Sequence, residues 1–226
     1  MSSGDVIKLL LSWTPFLAGG FVWNIVIALT AMSAGTAGGA WLAVMRASPH
    51  RKLARVCEIT TEIMRDTPTV VCQFYLVFML PVEIVLPMSD IVVPFPSWLK
   101  AALALAFAVG GFVSDNLGSA LKEMAEGSRA GLLLLLPNWT SYFVVIVIAS
   151  SGASVIGVDE LVSRCNSVVN AVGKTQMMLW VYLYAMFWFF LFCFTLSQLV
   201  KRFGARIERQ ARNIGMVSVP DNLELQ

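Results

Sequence analysis

Residues 9–45 read LLLSWTPFLAGGFVWNIVIALTAMSAGTAGGAWLAVM, and this stretch decides the fold class because it contains no charged residue. At about 1.5 Å of rise per residue, a helix of this length is longer than the ~30 Å hydrocarbon core of a bilayer. Pro15 and the glycine pair that follows it disfavour a helix. We therefore predict an interfacial N-terminal segment, residues 1–20, and a first membrane span from about Phe21 to Met45.

The overall composition also indicates a membrane protein. Of the 226 residues 58% are apolar and 13% are charged, and the mean hydropathy is +0.75. Soluble domains usually carry about 25% charged residues. The net charge of +2 gives no support to nucleic-acid binding.

Further apolar runs predict an all-α polytopic membrane protein with about five transmembrane helices. We expect a transmembrane domain over residues 21–200, followed by a basic cytoplasmic C-terminal tail over residues 201–226. The later spans begin and end near Pro68 to Pro81 or Pro87, near Trp98 to Leu117, within residues 132–158, and near Gln176 to Val200.

The distribution of basic residues predicts the orientation, because Lys and Arg are retained on the cytoplasmic side. With the N-terminus outside and the C-terminus inside, twelve of the 16 basic residues fall in inner segments. The exceptions are Lys8, Lys100, Arg164 and Lys174. The inner ones are Arg46, Arg51, Lys52, Arg55, Arg65, Lys122, Arg129, Lys201, Arg202, Arg206, Arg209 and Arg212.

The sequence shows no pattern typical of a catalytic or metal centre. It has one histidine, His50, and four scattered cysteines, with no CxxC or HExxH spacing. It also lacks the GxxxxGK[ST] loop that binds ATP phosphates. We therefore expect no enzyme activity, metal or cofactor in this chain, and an energy source that lies on a partner or in a gradient.

Two short elements carry more specific information. Arg65-Asp66-Thr67-Pro68 opens the second span, where Thr67 could cap the helix and Pro68 could occupy its first turn. Ser154-Val155-Ile156-Gly157-Val158-Asp159-Glu160-Leu161 follows the fourth. Together they resemble the permease subunits of bacterial ABC importers for polar amino acids, in which Arg-Gly-Thr-Pro and Ser-Val-Ile-Gly-Val-x-Glu-Leu stand at these places. The basic stretch from Lys201 to Arg212 is also similar to the family's ending.

The resemblance implies a type I ABC importer permease-like fold in the bacterial inner membrane. It implies a cytoplasmic ABC ATPase dimer, a sister permease or second copy of this chain, and a periplasmic substrate-binding protein as partners, besides the lipid bilayer. Candidate residues for the translocation path or for helix packing are Arg65, Thr67, Pro68, Asp115, Ser151, Ser154 and Gly157.

The inner loop between the third and fourth spans departs from the family pattern. In the family this loop carries a Glu-Ala-Ala helix that docks into the ATPase, and here it is shortened around Glu126, Arg129 and Gly131. These three residues are the candidates for ATPase coupling. A non-transporting or weakly coupling subunit that scaffolds a sister permease is the alternative, and a secondary transporter is a further one.

Ionisable and small residues inside the spans suggest packing roles. Asp115 lies at a span end, where an ionisable group either has a functional or pairing role or sits at the inner interface near Lys122. Gly35, Gly38 and Gly39 predict a small-residue packing face on the first span.

Overall fold

The computed structural model describes residues 3–85, 92–125, 127 and 130–213. Its regular structure is helical apart from a hairpin of two three-residue strands, in which Ile84 of β1 opposes Val93 of β2. In chain order the elements are α1 (Ser3–Arg46), α2 (Arg51–Asp66), α3 (Thr69–Met79), β1 (Glu83–Val85), β2 (Val92–Pro94), α4 (Ser97–Ala125), α5 (Ala130–Ala149), a 3-10 helix (Ser150–Ile156), α6 (Leu161–Val172) and α7 (Thr175–Asn213).

The predicted all-α membrane architecture is confirmed. Within the described ranges, four segments are long and apolar enough to cross a bilayer: α1, α4, α5 with the 3-10 helix, and α7. Helix α3, which occupies the place of the predicted second span, is apolar but has only 11 residues. At about 16 Å it reaches roughly half-way through the hydrocarbon core. The chain is a multi-pass membrane protein, and its described residues include four full-length candidate spans and one half-length apolar helix.

The helix break predicted near Pro15 is wrong, because α1 continues unbroken from Ser3 to Arg46. The glycines that suggested a break serve a close helix contact instead. A Cβ on Gly20 would lie 2.9 Å from the Leu161 Cα of α6, and one on Gly19 would lie 2.5 Å from the Arg164 guanidinium. Glycine therefore lets α6 pack onto α1. The interfacial location of residues 1–20 stays a prediction.

Helices α1 and α4 form the centre of the bundle through a glycine contact. A Cβ on Gly35 would lie 2.5 Å from Val109 Cβ, and one on Gly39 would lie 2.5 Å from the Gly110 carbonyl oxygen. The predicted packing face is confirmed for these two residues. It is wrong for Gly38, which has open space beside it.

Helix α6 and the first half of α7 build a second core against α1. Leu161, Cys165 and Val168 lie on one face of α6 at helical spacing and are fully buried beside Leu17 and Phe21. Helix α7 is longer than the predicted fifth span, since it continues through the basic stretch to Asn213. The last part of the predicted tail, residues 214–226, lies outside the described residues.

Candidate functional site

Five polar side chains from three helices meet at the predicted cytoplasmic end of the bundle, and we call them the inner cluster: Arg46, Thr61, Arg65, Ser114 and Asp115. The Asp115 carboxylate of α4 lies at its centre. Its Oδ1 accepts a hydrogen bond from Arg46 of α1 at 2.9 Å, and its Oδ2 accepts one from Arg65 of α2 at 3.0 Å. One carboxylate thus connects three helices.

The remaining contacts of the inner cluster involve the hydroxyl and carbonyl groups of Thr61 and Ser114. Arg46 also donates to the Ser114 hydroxyl and to the Ser114 carbonyl, at 3.3 and 3.4 Å. The hydroxyls of Thr61 and Ser114 are hydrogen-bonded to each other at 2.8 Å. Gly111 permits this approach, since a Cβ there would lie 2.9 Å from the Arg65 backbone nitrogen. The charged groups therefore sit on a close-packed junction of α2 and α4.

Arg65 has two acidic partners, and it is the most exposed charged member of the cluster. It donates to Asp66 at 3.0 Å as well as to Asp115, and hydrogen bonds to Asp66 first and Asp115 second raise the pKa of its guanidinium. Its side chain is 54% exposed, against 30% for Asp115 and 20% for Arg46. Arg65 is therefore shared between two carboxylates, one on its own helix and one on α4.

Thr67 and Pro68 form the corner between α2 and α3. The Thr67 hydroxyl donates back to the Ile63 carbonyl at 2.5 Å, so it closes α2 and does not cap the next helix as predicted. Pro68 precedes the first helical residue of α3, with φ −61° and ψ 124°. Because Pro fixes φ, the corner has a defined geometry beside Arg65.

A second cluster, at the middle of α1, is fully buried, and we call it the outer cluster: Asn24, Ser150 and Glu160. The Asn24 amide nitrogen donates to Ser150 Oγ at 3.0 Å and to Glu160 Oε2 at 2.9 Å. Its amide oxygen accepts from the Leu161 backbone nitrogen at 3.1 Å. All three side chains have no exposed surface.

Glu160 is the N-cap of α6. Its carboxylate accepts hydrogen bonds from the backbone nitrogens of Val162 and Ser163, at 3.1 and 3.0 Å, in addition to the Asn24 bond. No basic side chain of the described residues forms an ion pair with it. Burial raises the pKa of this carboxyl, and the three hydrogen bonds partly offset that rise.

The second sequence element explains this geometry, because most of its residues shape the backbone before Glu160. Gly157 ends the 3-10 helix in a left-handed conformation, with φ +84°, which favours glycine. The Ser154 hydroxyl donates to the Ser151 carbonyl at 2.9 Å. The Ser151 hydroxyl donates to the Ile148 carbonyl at 2.7 Å, and Ser151 is half-buried. The structure therefore brings Ser151, Ser154 and Gly157 into one turn.

Sequence reasoning missed Asn24, Glu160 and one further buried residue, Gln73. Gln73 lies on α3, is 1% exposed, and neither polar atom of its amide has a hydrogen-bond partner among the described residues. Its Oε1 lies 3.2 Å from the position of a Cβ on Gly152. Buried polar groups nearly always find partners. For Asn24 and Gln73, the signal in the sequence was a single polar residue within an apolar run.

Of the three ATPase-coupling candidates, only Gly131 lies within the described residues, since Glu126 and Arg129 do not. Helix α4 ends at Ala125 and α5 begins at Ala130, so the connection spans only residues 126–129. Gly131 allows close contact in this hairpin, because a Cβ there would lie 3.0 Å from Ala120 Cα. No three metal-ligating side chains lie together in the described part of the chain.

Comparison with known proteins agrees with this architecture. The chain is 23% identical over 218 residues to the L-cystine transport system permease protein TcyB of Bacillus subtilis (strain 168), covering 88% of this chain and 89% of that protein. A chain in the crystal structure of an amino acid ABC transporter with histidines matches with a TM-score of 0.69 and 18% identity, covering 87% and 96% of the two chains. No protein-family model matches. The chain has the fold of a membrane subunit of such a transporter.

Proposed function

We propose that this chain is the membrane-spanning permease subunit of an ATP-driven importer and forms the path for a polar amino acid or a related small solute. The observation that carries the proposal is the likeness, over nearly the whole chain, to an amino acid ABC transporter. The sequence relative, a permease of a cystine transport system, supports the same class of solute.

The proposed ATPase partner supplies the ATP hydrolysis for which this chain has no sequence motif. It has no phosphate-binding loop, so ATP hydrolysis takes place on a separate cytoplasmic ATPase dimer. A periplasmic binding protein delivers the solute, and a sister permease or a second copy of this chain completes the path. The location is then the bacterial inner membrane, with the N-terminus outside.

Transport requires at least two arrangements of the permease, and the inner cluster is suited to move between them. Arg65 is bonded to Asp66 on its own helix and to Asp115 on α4. Release of Asp115 leaves Arg65 with Asp66 and leaves Asp115 with Arg46, so no charge becomes unpaired. The fixed corner at Thr67 and Pro68 would pass this movement to α3 and to Gln73.

Gln73 is the candidate solute-facing group on that path. Its amide has no hydrogen-bond partner among the described residues, and a polar solute or water could supply the missing partners in another arrangement. Because a permease path must be polar at some point along an apolar bundle, a lone buried amide on a half-length helix supports the assignment.

Reconstitution tests the proposed function directly. The chain would be placed in proteoliposomes with the ATPase and the binding protein encoded beside its gene, and uptake of labelled polar amino acids would be measured with and without ATP. We expect uptake of at least one of them only when ATP is present. Uptake that persists without ATP would mean that the chain is a secondary transporter.

A weakly coupling partner subunit is the second candidate, and the short connection between α4 and α5 favours it. A four-residue connection leaves little room for a docking helix. Co-purification decides between them: tight binding of the ATPase to this chain as a homodimer would exclude weak coupling, whereas ATPase binding only when a sister permease is present would support it.

A further inference from the structure

A cavity of about 910 Å³ lies between the end of α1, the first half of α2 and the last part of α4, and the proposed transport path does not use it. We call it the basic cavity. Five basic side chains and one acidic side chain line it: Arg46, Arg51, Lys52, Arg55, Lys122 and Glu58. Its volume is within the range of small-ligand sites, about 300–1,000 Å³.

The positive charge of the basic cavity is only partly compensated. Arg55 forms an ion pair with Glu58 at 2.9 Å, and Arg46 is paired with Asp115. Arg51, Lys52 and Lys122 form no ion pair with an acid in the parts of the chain that the structure describes. Three basic groups from two helices therefore face one cavity without a counter-charge, which selects an anionic ligand.

The local helix geometry adds to this preference. Arg51 and Lys52 lie in the first turn of α2, which contains no acid, and the N-cap residue His50 makes no capping hydrogen bond. Basic residues are unfavourable at a helix N-terminus, because the helix dipole is positive there. An anion bound between the N-terminus of α2 and Lys122 would offset the charge of the basic side chains and the positive end of the helix dipole.

Apart from Gly118 and Ser119, the rest of the lining is apolar, and it identifies the kind of anion. Small or apolar side chains complete the wall, namely Ala43, Ala47, Ala54, Val56, Leu121 and Ala125. Val56 is 60% exposed and continues into Ile59 and Ile63 as an exposed apolar stripe on α2. The cavity begins where the α1 span ends, at Arg46, which is the level of lipid headgroups.

We propose that the basic cavity binds the phosphate headgroup of an anionic phospholipid of the inner leaflet. Arg51, Lys52 and Lys122 bind the phosphate, and the stripe of Val56, Ile59 and Ile63 contacts the acyl chains. A lipid fits better than an ATPase surface, because 14 residues line the cavity whereas a stable protein interface uses about 20–30 residues on each partner. The inference rests on the membrane orientation and not on transport activity.

The test compares phosphatidylglycerol with phosphatidylcholine. The full chain, purified in detergent, would be titrated with each lipid while its thermal unfolding and lipid-bound mass are followed. Arg51→Gln/Lys122→Gln removes two charges of the basic cavity, and the control Lys8→Gln/Lys174→Gln removes two exposed basic residues from the predicted outer side. At about 1 kcal/mol for each basic residue, we expect the cavity variant to bind phosphatidylglycerol at least about tenfold more weakly, and the control to bind like wild type.

Several results would overturn the proposal. These are equal binding of the two lipids, equal loss in both variants, and equal stabilisation by inorganic phosphate, which would indicate a soluble anion. Loss of ATPase binding with unchanged phosphatidylglycerol binding would identify an ATPase docking surface instead. If the Gln variant does not fold, Arg51→Lys/Lys122→Arg keeps the charges, and its failure to prefer phosphatidylglycerol would contradict the account.

Discussion

The inner and outer clusters both join distant parts of the chain through one carboxylate, but they do so in opposite ways. Asp115 is partly exposed and is held by two arginines from different helices. Glu160 is fully buried and is held by one amide and two backbone nitrogens. The first carboxylate has charged partners that can be exchanged, whereas the second has neutral partners that cannot be exchanged without leaving buried groups unpaired.

The two clusters therefore differ in how much free energy it costs to rearrange them. Water screens a partly exposed ion pair, so its rearrangement costs little free energy. A buried acceptor that loses its donors pays its full desolvation penalty. We infer that the outer cluster holds α6 rigidly on α1, and that the inner cluster is the place where the bundle changes its arrangement. Each prediction below tests one side of this contrast.

The largest effect on stability is expected for Glu160→Ala. The change removes the N-cap of α6, at about 0.5–2 kcal/mol, and takes from the buried Asn24 amide nitrogen one of its two acceptors, at about 1–3 kcal/mol. The free energy of unfolding, measured by denaturant titration in detergent, should fall by about 2–4 kcal/mol. Asp159→Asn is the control, because the Asp159 side chain is 64% exposed in its pair with Arg164, and it should change the free energy of unfolding by less than about 1 kcal/mol. If both variants lost the same free energy of unfolding, the buried carboxylate would not be a stronger attachment than the exposed one.

Asp115→Asn should affect transport more than stability. It removes two partly exposed ion pairs, so the free energy of unfolding should fall by about 1–2 kcal/mol. Uptake in proteoliposomes should fall about tenfold, as expected when a coupling element is uncoupled. If the variant were strongly destabilised but transported normally per folded molecule, Asp115 would have a structural role like that of Glu160.

Two neighbouring serines provide a smaller and more local comparison. Ser150 is buried and accepts from Asn24, whereas Ser151 is half-buried and its hydroxyl donates to the Ile148 carbonyl. Ser150→Ala should lower the free energy of unfolding by about 1 kcal/mol, and Ser151→Ala by less than about 0.5 kcal/mol. The same denaturant titration measures both. A larger loss at Ser151 would indicate a contact outside this chain, such as the sister permease.

The smallest effect is a pH dependence of the outer cluster. Burial raises the pKa of Glu160 above its unfolded value, so the folded chain binds the proton more tightly than the unfolded chain. Stability from this group is therefore greatest below the unfolded pKa and declines as pH rises through the folded pKa. Melting temperatures of wild type and Glu160→Gln would be measured between pH 4 and pH 8. The melting temperature of wild type, relative to that of the variant, should fall as the pH rises. Parallel curves would show that Glu160 does not titrate differently on folding.

The fold was largely predictable from the sequence, because a bilayer limits the choices. The uncharged run at residues 9–45 had to become a helix, and it did. Its continuity through Gly19 and Gly20 was not predictable, since it depends on α6, which packs there from a distant part of the chain. Local helix-breaking residues were therefore misread where a tertiary contact decided their use.

The candidate site was predictable only in part. An ionisable residue in a span indicates pairing, and Asp115 is paired, but its partners Arg46 and Arg65 follow from how three helices dock. Asn24 and Glu160 are 136 positions apart, and nothing local connects them. The sequence element marks the turn before Glu160, but it does not reveal that the Glu160 carboxylate caps α6. Its role depends on burial, which sequence patterns do not report.

One measurement tests the central claim that this chain is an ATP-coupled permease whose inner cluster transmits the movement. Proteoliposomes with the ATPase and the binding protein would carry either wild type or Asp115→Asn, and the number of solute molecules imported for each ATP hydrolysed would be compared. We predict ATP-dependent import by wild type, and a ratio that falls about tenfold in the variant while the ATPase stays bound. ATP-independent import by wild type, or an unchanged ratio in the variant, would contradict the account.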